Sequence, residues 1–157
     1  MSTSKHIPIT STELATLWTT YQEKTMIMRF LEYFLENDEN DQQIFQLHYN
    51  RAVESVELIK NIFQHEGAAI PIGFTENDVN KGAPKLYDYM FDVMYLRLMA
   101  QIETGLFSLY SNMSYRKDIR HFFKRLTAEA QEAYDQSTHL LLETGVISRP
   151  PYVSSCI

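Results

Sequence analysis

Residues 84–113 read PKLYDYMFDVMYLRLMAQIETGLFSLYSNM, and the fold turns on how this stretch is covered. On a helical wheel its second half carries a narrow polar seam, Arg97, Gln101, Thr104, Ser108 and Ser111. Nearly everything else there is apolar: Tyr95, Leu96, Leu98, Met99, Ile102, Leu106, Phe107, Leu109 and Tyr110. A helix with so wide an apolar arc needs neighbours on more than one side, so it is the central member of a bundle or a subunit-contact helix.

Upstream, residues 68–84 (AAIPIGFTENDVNKGAP) crowd Pro, Gly, Asn and Asp and read as irregular chain. Before them, a helix over 39–66 begins at Asp38 or Asn40 after an acidic turn and presents Phe45, His48, Ala52, Val56, Ile59 and Phe63 on its inner side. Gly67 closes it, with Pro71 forbidding continuation. The first helix, 11–36, opens with Thr10 and Glu13 as a capping box and Ile9 with Leu14 as a hydrophobic staple. Its core seam, Leu14, Leu17, Tyr21, Lys24, Met28, Leu31 and Leu35, is interrupted by Lys24, and a second apolar group, Met26, Ile27, Phe30, Tyr33 and Phe34, lies mostly on the other side. Downstream, Ser114 is the expected cap of a fourth helix over 115–144, whose inner stripe includes Ile119, Phe122, Leu126, Ala130, Ala133, Ser137 and Leu141, with Gly145 and Pro150-Pro151 ending it.

The three links are short, long and short. A helix of nearly thirty residues is roughly 40 Å long, and an extended link over 68–84 reaches roughly 55 Å. The expected fold is therefore all-α: a ferritin-like four-helix bundle, one domain over 1–157, with a long crossover between helices two and three. Ile70, Ile72 and Phe74 alternate along that crossover and are expected to pin it to the bundle. Pro84 suits the first turn of helix three.

Composition narrows the function classes. Hydrophobic residues are 45%, charged residues 22%, and the net charge is −6, which argues against a nucleic-acid partner despite the basic group Arg116, Lys117, Arg120, Lys124 and Arg125. The single Cys156 leaves no internal disulfide. Without an apolar leader or an ~18-residue apolar run, the chain reads as cytoplasmic with no membrane partner.

A bundle of this connectivity raises a carboxylate-bridged di-metal centre, which needs Glu from two helices and Glu-x-x-His from the other two. The set is absent. Helix two offers Glu54-Ser-Val-Glu57 and helix four Glu132-Ala-Tyr-Asp135, neither with the His. Glu54 and Glu57 lie about 140–200° from the inner stripe at 100° per residue, so the bundle centre is expected to be apolar, with no cofactor. The inward polar candidates are Glu32, His48, Glu103 and Glu129; a buried Glu103 must be paired, protonated or less buried than its wheel position implies. His65, His121 and His139 read as scattered surface residues.

Pro71, Gly73, Phe74, Asp78 and Val79 in the crossover, Leu86 and Asp88 before helix three, and Gly145, Arg149, Pro150 and Pro151 at the end resemble the signatures of domain-of-unknown-function family 3231. Leu86 and Asp88 stand one residue closer than that family's spacing. The resemblance covers nearly the whole chain. It implies a ferritin-like bundle distantly similar to the spore-coat protein F group, many relatives carrying two such domains in tandem, and a coat-associated or sporulation-linked role.

Two functions compete. The first is a non-enzymatic, self-associating bundle, a homodimer or an associate of other coat-type proteins, with Met26, Phe30, Phe34, Tyr95, Leu98 and Ile102 as interface candidates. The alternative is a ferritin-like metal-binding or redox protein with a non-standard carboxylate/His site built from Glu32, His48, Glu103 and Glu129.

Overall fold

The computed structural model describes residues 6–37 and 39–145. The expectations attached to Arg149, Pro150, Pro151, Cys156 and the tail lie outside the described residues. Four helices form the body: α1 (Ser11–Asn37), α2 (Gln42–His65), α3 (Tyr89–Met113) and α4 (Lys117–Glu143). One 3-10 turn, Glu76–Asp78, interrupts the link between α2 and α3, and the described residues contain no strand.

Two apolar clusters fix the direction of every helix. One joins Leu17 and Tyr21 early in α1 to Ile59 and Phe63 late in α2, Phe107 late in α3, and Ile119, Phe122 and Phe123 early in α4. The other joins Leu31 and Phe34 late in α1 to Phe45 early in α2, Val93 early in α3 and Leu141 late in α4. The chain leaves α2 at one end of the bundle and enters α3 at the other, so the intervening link runs its full length. The molecule is two antiparallel hairpins joined by a long crossover, as the lengths of the links imply.

The capping box forms as the spacing predicts. Thr10 N–H donates to Glu13 Oε2 at 2.9 Å and Glu13 N–H to Thr10 Oγ1 at 3.1 Å, while Ile9 and Leu14 pack on the first cluster. Glu13 does more than cap its own helix. Its Oε1 accepts N–H bonds from Tyr115 and Arg116, each at 2.7 Å, so one fully buried carboxylate closes the N-termini of both α1 and α4. Burial pushes this carboxyl up, but the bonds from Arg116, Thr10 and Tyr115 outweigh it and hold the group below its ordinary range.

Helix starts differ from expectation where a local bond wins. Asp41 takes a left-handed conformation (φ 44°), so α2 begins at Gln42 instead of residue 39. Pro84 does not start α3; Asp88 does, its Oδ1 accepting from Phe91 N–H at 2.8 Å. The chain around Pro84 is tied to α1 instead, Tyr33 donating to the Pro84 carbonyl and accepting from Leu86 N–H at 2.7 Å. Ser114 closes α3, its hydroxyl donating to the Tyr110 carbonyl at 2.8 Å, which leaves the start of α4 to Glu13. At the end of α2, Ala68 N–H donates to Phe63 O and Gly67 N–H to Gln64 O, the paired bonds of a Schellman motif, with Gly67 at φ +66°.

The crossover is held by backbone rather than by its isoleucines. Ile72 is 89% exposed, and Ile70 and Phe74 are only partly covered. Pro71 is buried, Phe74 N–H donates to Thr25 Oγ1 at 3.0 Å, and Gly73 sits so close to α1 that a Cβ there would meet Thr25 Oγ1 at 2.6 Å and Tyr21 Cε1 at 2.8 Å. Gly73→Ala must push the link off α1 and weaken the Phe74–Thr25 bond. It is expected to destabilise the fold by about 1–3 kcal/mol, read as a lower urea midpoint at unchanged slope.

Candidate functional site

The break in the apolar seam of α1 identifies the site. Lys24 is 9% exposed and ends in the middle of the bundle. Its ammonium lies 2.8 Å from Glu103 Oε1 of α3 and 4.9 Å from the centroid of the Phe107 ring. His48 and Arg51 of α2 and Glu129 of α4 line the same small cavity, about 40 Å³, among Leu31, Ala52, Leu96, Met99, Leu126 and Ala130. That space suits a water molecule and is too small for an organic ligand.

The charges balance within this group. Burial works against the charged form of Glu103, but the adjacent Lys24 ammonium prevails and holds its carboxyl below the ordinary range. Burial likewise opposes the charge on Lys24, and Glu103 prevails, raising it. Glu23, the neighbour of Lys24, is the proton carrier: burial first, then the Glu103 carboxylate, push it up to about 9 against the pull of Lys24. Glu23 thus favours its neutral form while Lys24 favours the charged form of Glu103, so the proton of the two acids is drawn to Glu23. Burial lowers His48, whose neutral imidazole bonds Gln136 Oε1 through Nε2 at 3.1 Å. Burial raises Glu129, which Arg125 flanks at 3.5 Å.

The sequence candidates divide accordingly. Glu103, His48 and Glu129 come together around the cavity. Glu32 does not join them; its Oε1 takes hydrogen bonds from Arg29 at 2.8 Å and Tyr49 at 3.0 Å. Glu54 and Glu57 are exposed, as the wheel phase predicts, and so are Glu132 and Asp135. The expected apolar centre is nevertheless a charged one, because α1 and α3 supply Lys24 and Glu103 there, with Arg51 of α2 and Glu129 of α4 at the cavity wall. The residues present do not fit a di-metal centre. The Lys24 ammonium stands where a bridging cation would sit, its positive charge already neutralises Glu103, and the trio of close ligating atoms found among the described residues lies elsewhere.

Sequence reasoning missed Glu23 and the role of Lys24. The signal was there in two halves, an interruption in one seam and an unpartnered acid in another, separated by 79 positions. The interface candidates also divide. Leu98 and Ile102 are 54% and 53% exposed, Met26 and Phe30 are exposed, and Tyr95 is half-buried with its ring stacked on Phe30 at 4.8 Å. Phe34 is core, 1% exposed and packed between Phe45 and Tyr95 where α2 and α3 close over the end of α1, so no partner can reach it.

A family model described as "Protein of unknown function (DUF3231)" matches residues 1–156. Among solved structures, a "putative spore coat protein" from Bacillus halodurans C-125 superposes with a TM-score of 0.81 at 14% identity, over 95% of this chain and 98% of its own. A DUF305 fragment from Deinococcus radiodurans superposes with a TM-score of 0.71 at 11% identity, over 87% and 99%. At such identities the likeness is one of fold. No curated protein matches.

Two measurements test the charge arrangement. Lys24→Met strands a buried carboxylate and is expected to cost about 3–5 kcal/mol, whereas Lys24→Met with Glu103→Leu removes both charges and recovers most of that loss, which a denaturation cycle reads directly. Glu23 holds its proton to about pH 9 when folded, well above its ordinary value of 4.5. Its contribution to stability is complete below the unfolded value and is lost as pH rises toward the folded one. The melting temperature is expected to fall between pH 6 and 9, and Glu23→Gln to flatten that fall.

Proposed function

The chain belongs to the DUF3231 family of proteins of unknown function, and from that membership we propose that it is a non-enzymatic structural bundle that associates with a second copy of itself. The observation that carries the proposal is the outer side of α3. Phe91, Met94, Leu98, Ile102, Leu109 and Met113 are all exposed, from 39% to 54%, at the spacing of one helical stripe. Gly105 falls within the stripe, and nothing lies within 4 Å of where its Cβ would be, which leaves room for a helix to approach closely. Met26 and Phe30 of α1 continue the apolar surface through the Phe30–Tyr95 stack.

The polar seam of the same helix supports this. Arg97 is turned toward α4, bonding Thr138 Oγ1 at 2.9 Å and Tyr134 OH at 2.8 Å, and Ser111 is buried. Arg97 and Ser111 thus serve the bundle, while Gln101 and Ser108 are exposed beside a larger apolar stripe that faces outward. The ferritin-like connectivity and the structural likeness to the Bacillus halodurans protein support a coat-associated or sporulation-linked setting, where self-association is the working property. No helix among the described residues is long and apolar enough to cross a membrane.

The alternative, a ferritin-like metal or redox site, has Glu103, His48 and Glu129 in its favour and the Lys24 ammonium against it. Sedimentation equilibrium decides the first reading: a dimer is expected, and Leu98→Glu with Ile102→Glu is expected to yield a folded monomer. A compact wild-type monomer at high concentration would overturn it. Metal that co-purifies stoichiometrically, and is lost in His48→Ala but kept in His65→Ala, would favour the alternative.

A further inference from the structure

The segment before α1, the end of α2 and the start of α4 meet at one corner of the bundle, far along the chain from one another. His6 approaches from the first, His65 and Glu66 from the second, Arg116 from the third. The ligating atoms of His6, His65 and Glu66 all lie within 4.8 Å of one another. His6 Nε2 is 3.5 Å from Glu66 Oε2, and the two imidazoles meet edge to face with centroids 6.0 Å apart.

We infer that His6, His65 and Glu66 form a surface site for a divalent transition-metal ion of the zinc, cobalt or nickel kind, one that clamps the segment before α1 onto the junction of α2 and α4.

Four features support the site. First, two imidazoles and a carboxylate select borderline metals over magnesium or calcium, which prefer all-oxygen sets. Second, Glu66 divides its oxygens: Oε1 is bound by the Arg116 guanidinium, while Oε2 faces His6 and remains available. An outer partner of this kind orients a ligating carboxylate. Third, the local charge is favourable. Arg116 is also paired with Asp118 at 2.7 Å, so two carboxylates face one guanidinium and a net negative charge remains for a cation. Fourth, His65 and Glu66 sit at the carboxyl end of α2, where the helix dipole favours positive charge. Zinc with bonds near 2.0–2.1 Å holds its ligand atoms about 3.3 Å apart. His6 is 60% exposed and His65 is exposed too, so rotation of the two rings closes the remaining distance. Water completes the coordination, since three protein ligands leave a position open.

The site is separate from the bundle centre and independent of self-association. Its test uses tag-free protein, since a polyhistidine tail would supply competing ligands. Titration with Zn²⁺ by calorimetry is expected to give one site per chain, and Co²⁺ to give visible d–d absorption on binding. His65→Ala and His6→Ala, both on the surface, are each expected to weaken Zn²⁺ by tenfold or more with unchanged circular dichroism, while His48→Ala leaves binding intact and Mg²⁺ fails to compete. No stoichiometric Zn²⁺ binding, or binding that survives both surface substitutions, overturns the inference. Binding lost only in His48→Ala places the ion in the bundle centre and overturns it equally.

Discussion

The ion pair between Lys24 and Glu103 is the constraint from which the rest of the arrangement follows. Two opposite charges enclosed among Leu31, Leu96, Phe107 and Leu126 survive only if they stay together, because either one alone in that setting carries a desolvation cost of several kcal/mol. Lys24 belongs to the first hairpin and Glu103 to the second. The pair therefore acts between hairpins that touch each other much less than the helices within each hairpin do. Other polar ties follow the same seam: His48 with Gln136, Arg51 with Glu132 at 2.7 Å, Glu66 with Arg116, and Glu13 with the first amides of α4. Apolar packing supplies the bulk of the association, and these directional bonds set the register of one hairpin on the other. Burial draws Glu23 beside this pair toward its neutral form, which keeps a second carboxylate charge from competing for Lys24.

What the sequence disclosed and what it hid divide along a physical line. Features written locally were legible. Thr10 and Glu13 announced the start of α1, Gly67 the end of α2, and the length of the link the crossover, because each depends on residues a few positions apart or on chain reach alone. The outward phase of Glu54 and Glu57 was legible for the same reason. Features decided by competition between distant segments were not. Pro84 is a good helix starter, yet Tyr33 of another helix takes the chain around it and Asp88 caps α3 instead. Ile72 alternates like a buried residue, yet the link is seated by Gly73 and by the Phe74 amide, whose acceptor is a threonine 49 positions earlier. Lys24 looked like a flaw in a seam because periodicity on one helix cannot name a partner on another.

The two double-faced helices meet different ends. The second face of α1 is partly covered by the crossover, which is tied to Tyr33 on that face and to Thr25 beside it. The outer stripe of α3 has no such cover within the described chain, which makes the bundle asymmetric: one flank is finished by its own link and the other is left apolar. Arg97 sharpens the contrast by spending its guanidinium on Tyr134 and Thr138 inside the second hairpin, with its carbon against the Tyr134 ring at 4.8 Å.

Glu13 has a consequence for how the chain comes off the ribosome. Its carboxylate caps α1 within three residues, but its other oxygen waits for amides 102 and 103 positions further on. Until the start of α4 has been synthesised, a buried acid at the base of the first helix lacks half its donors, and the first apolar cluster lacks Ile119, Phe122 and Phe123. The leading hairpin is thus an unfinished half rather than an autonomous unit. Co-translational closure of this end of the bundle therefore waits for the start of α4 to emerge.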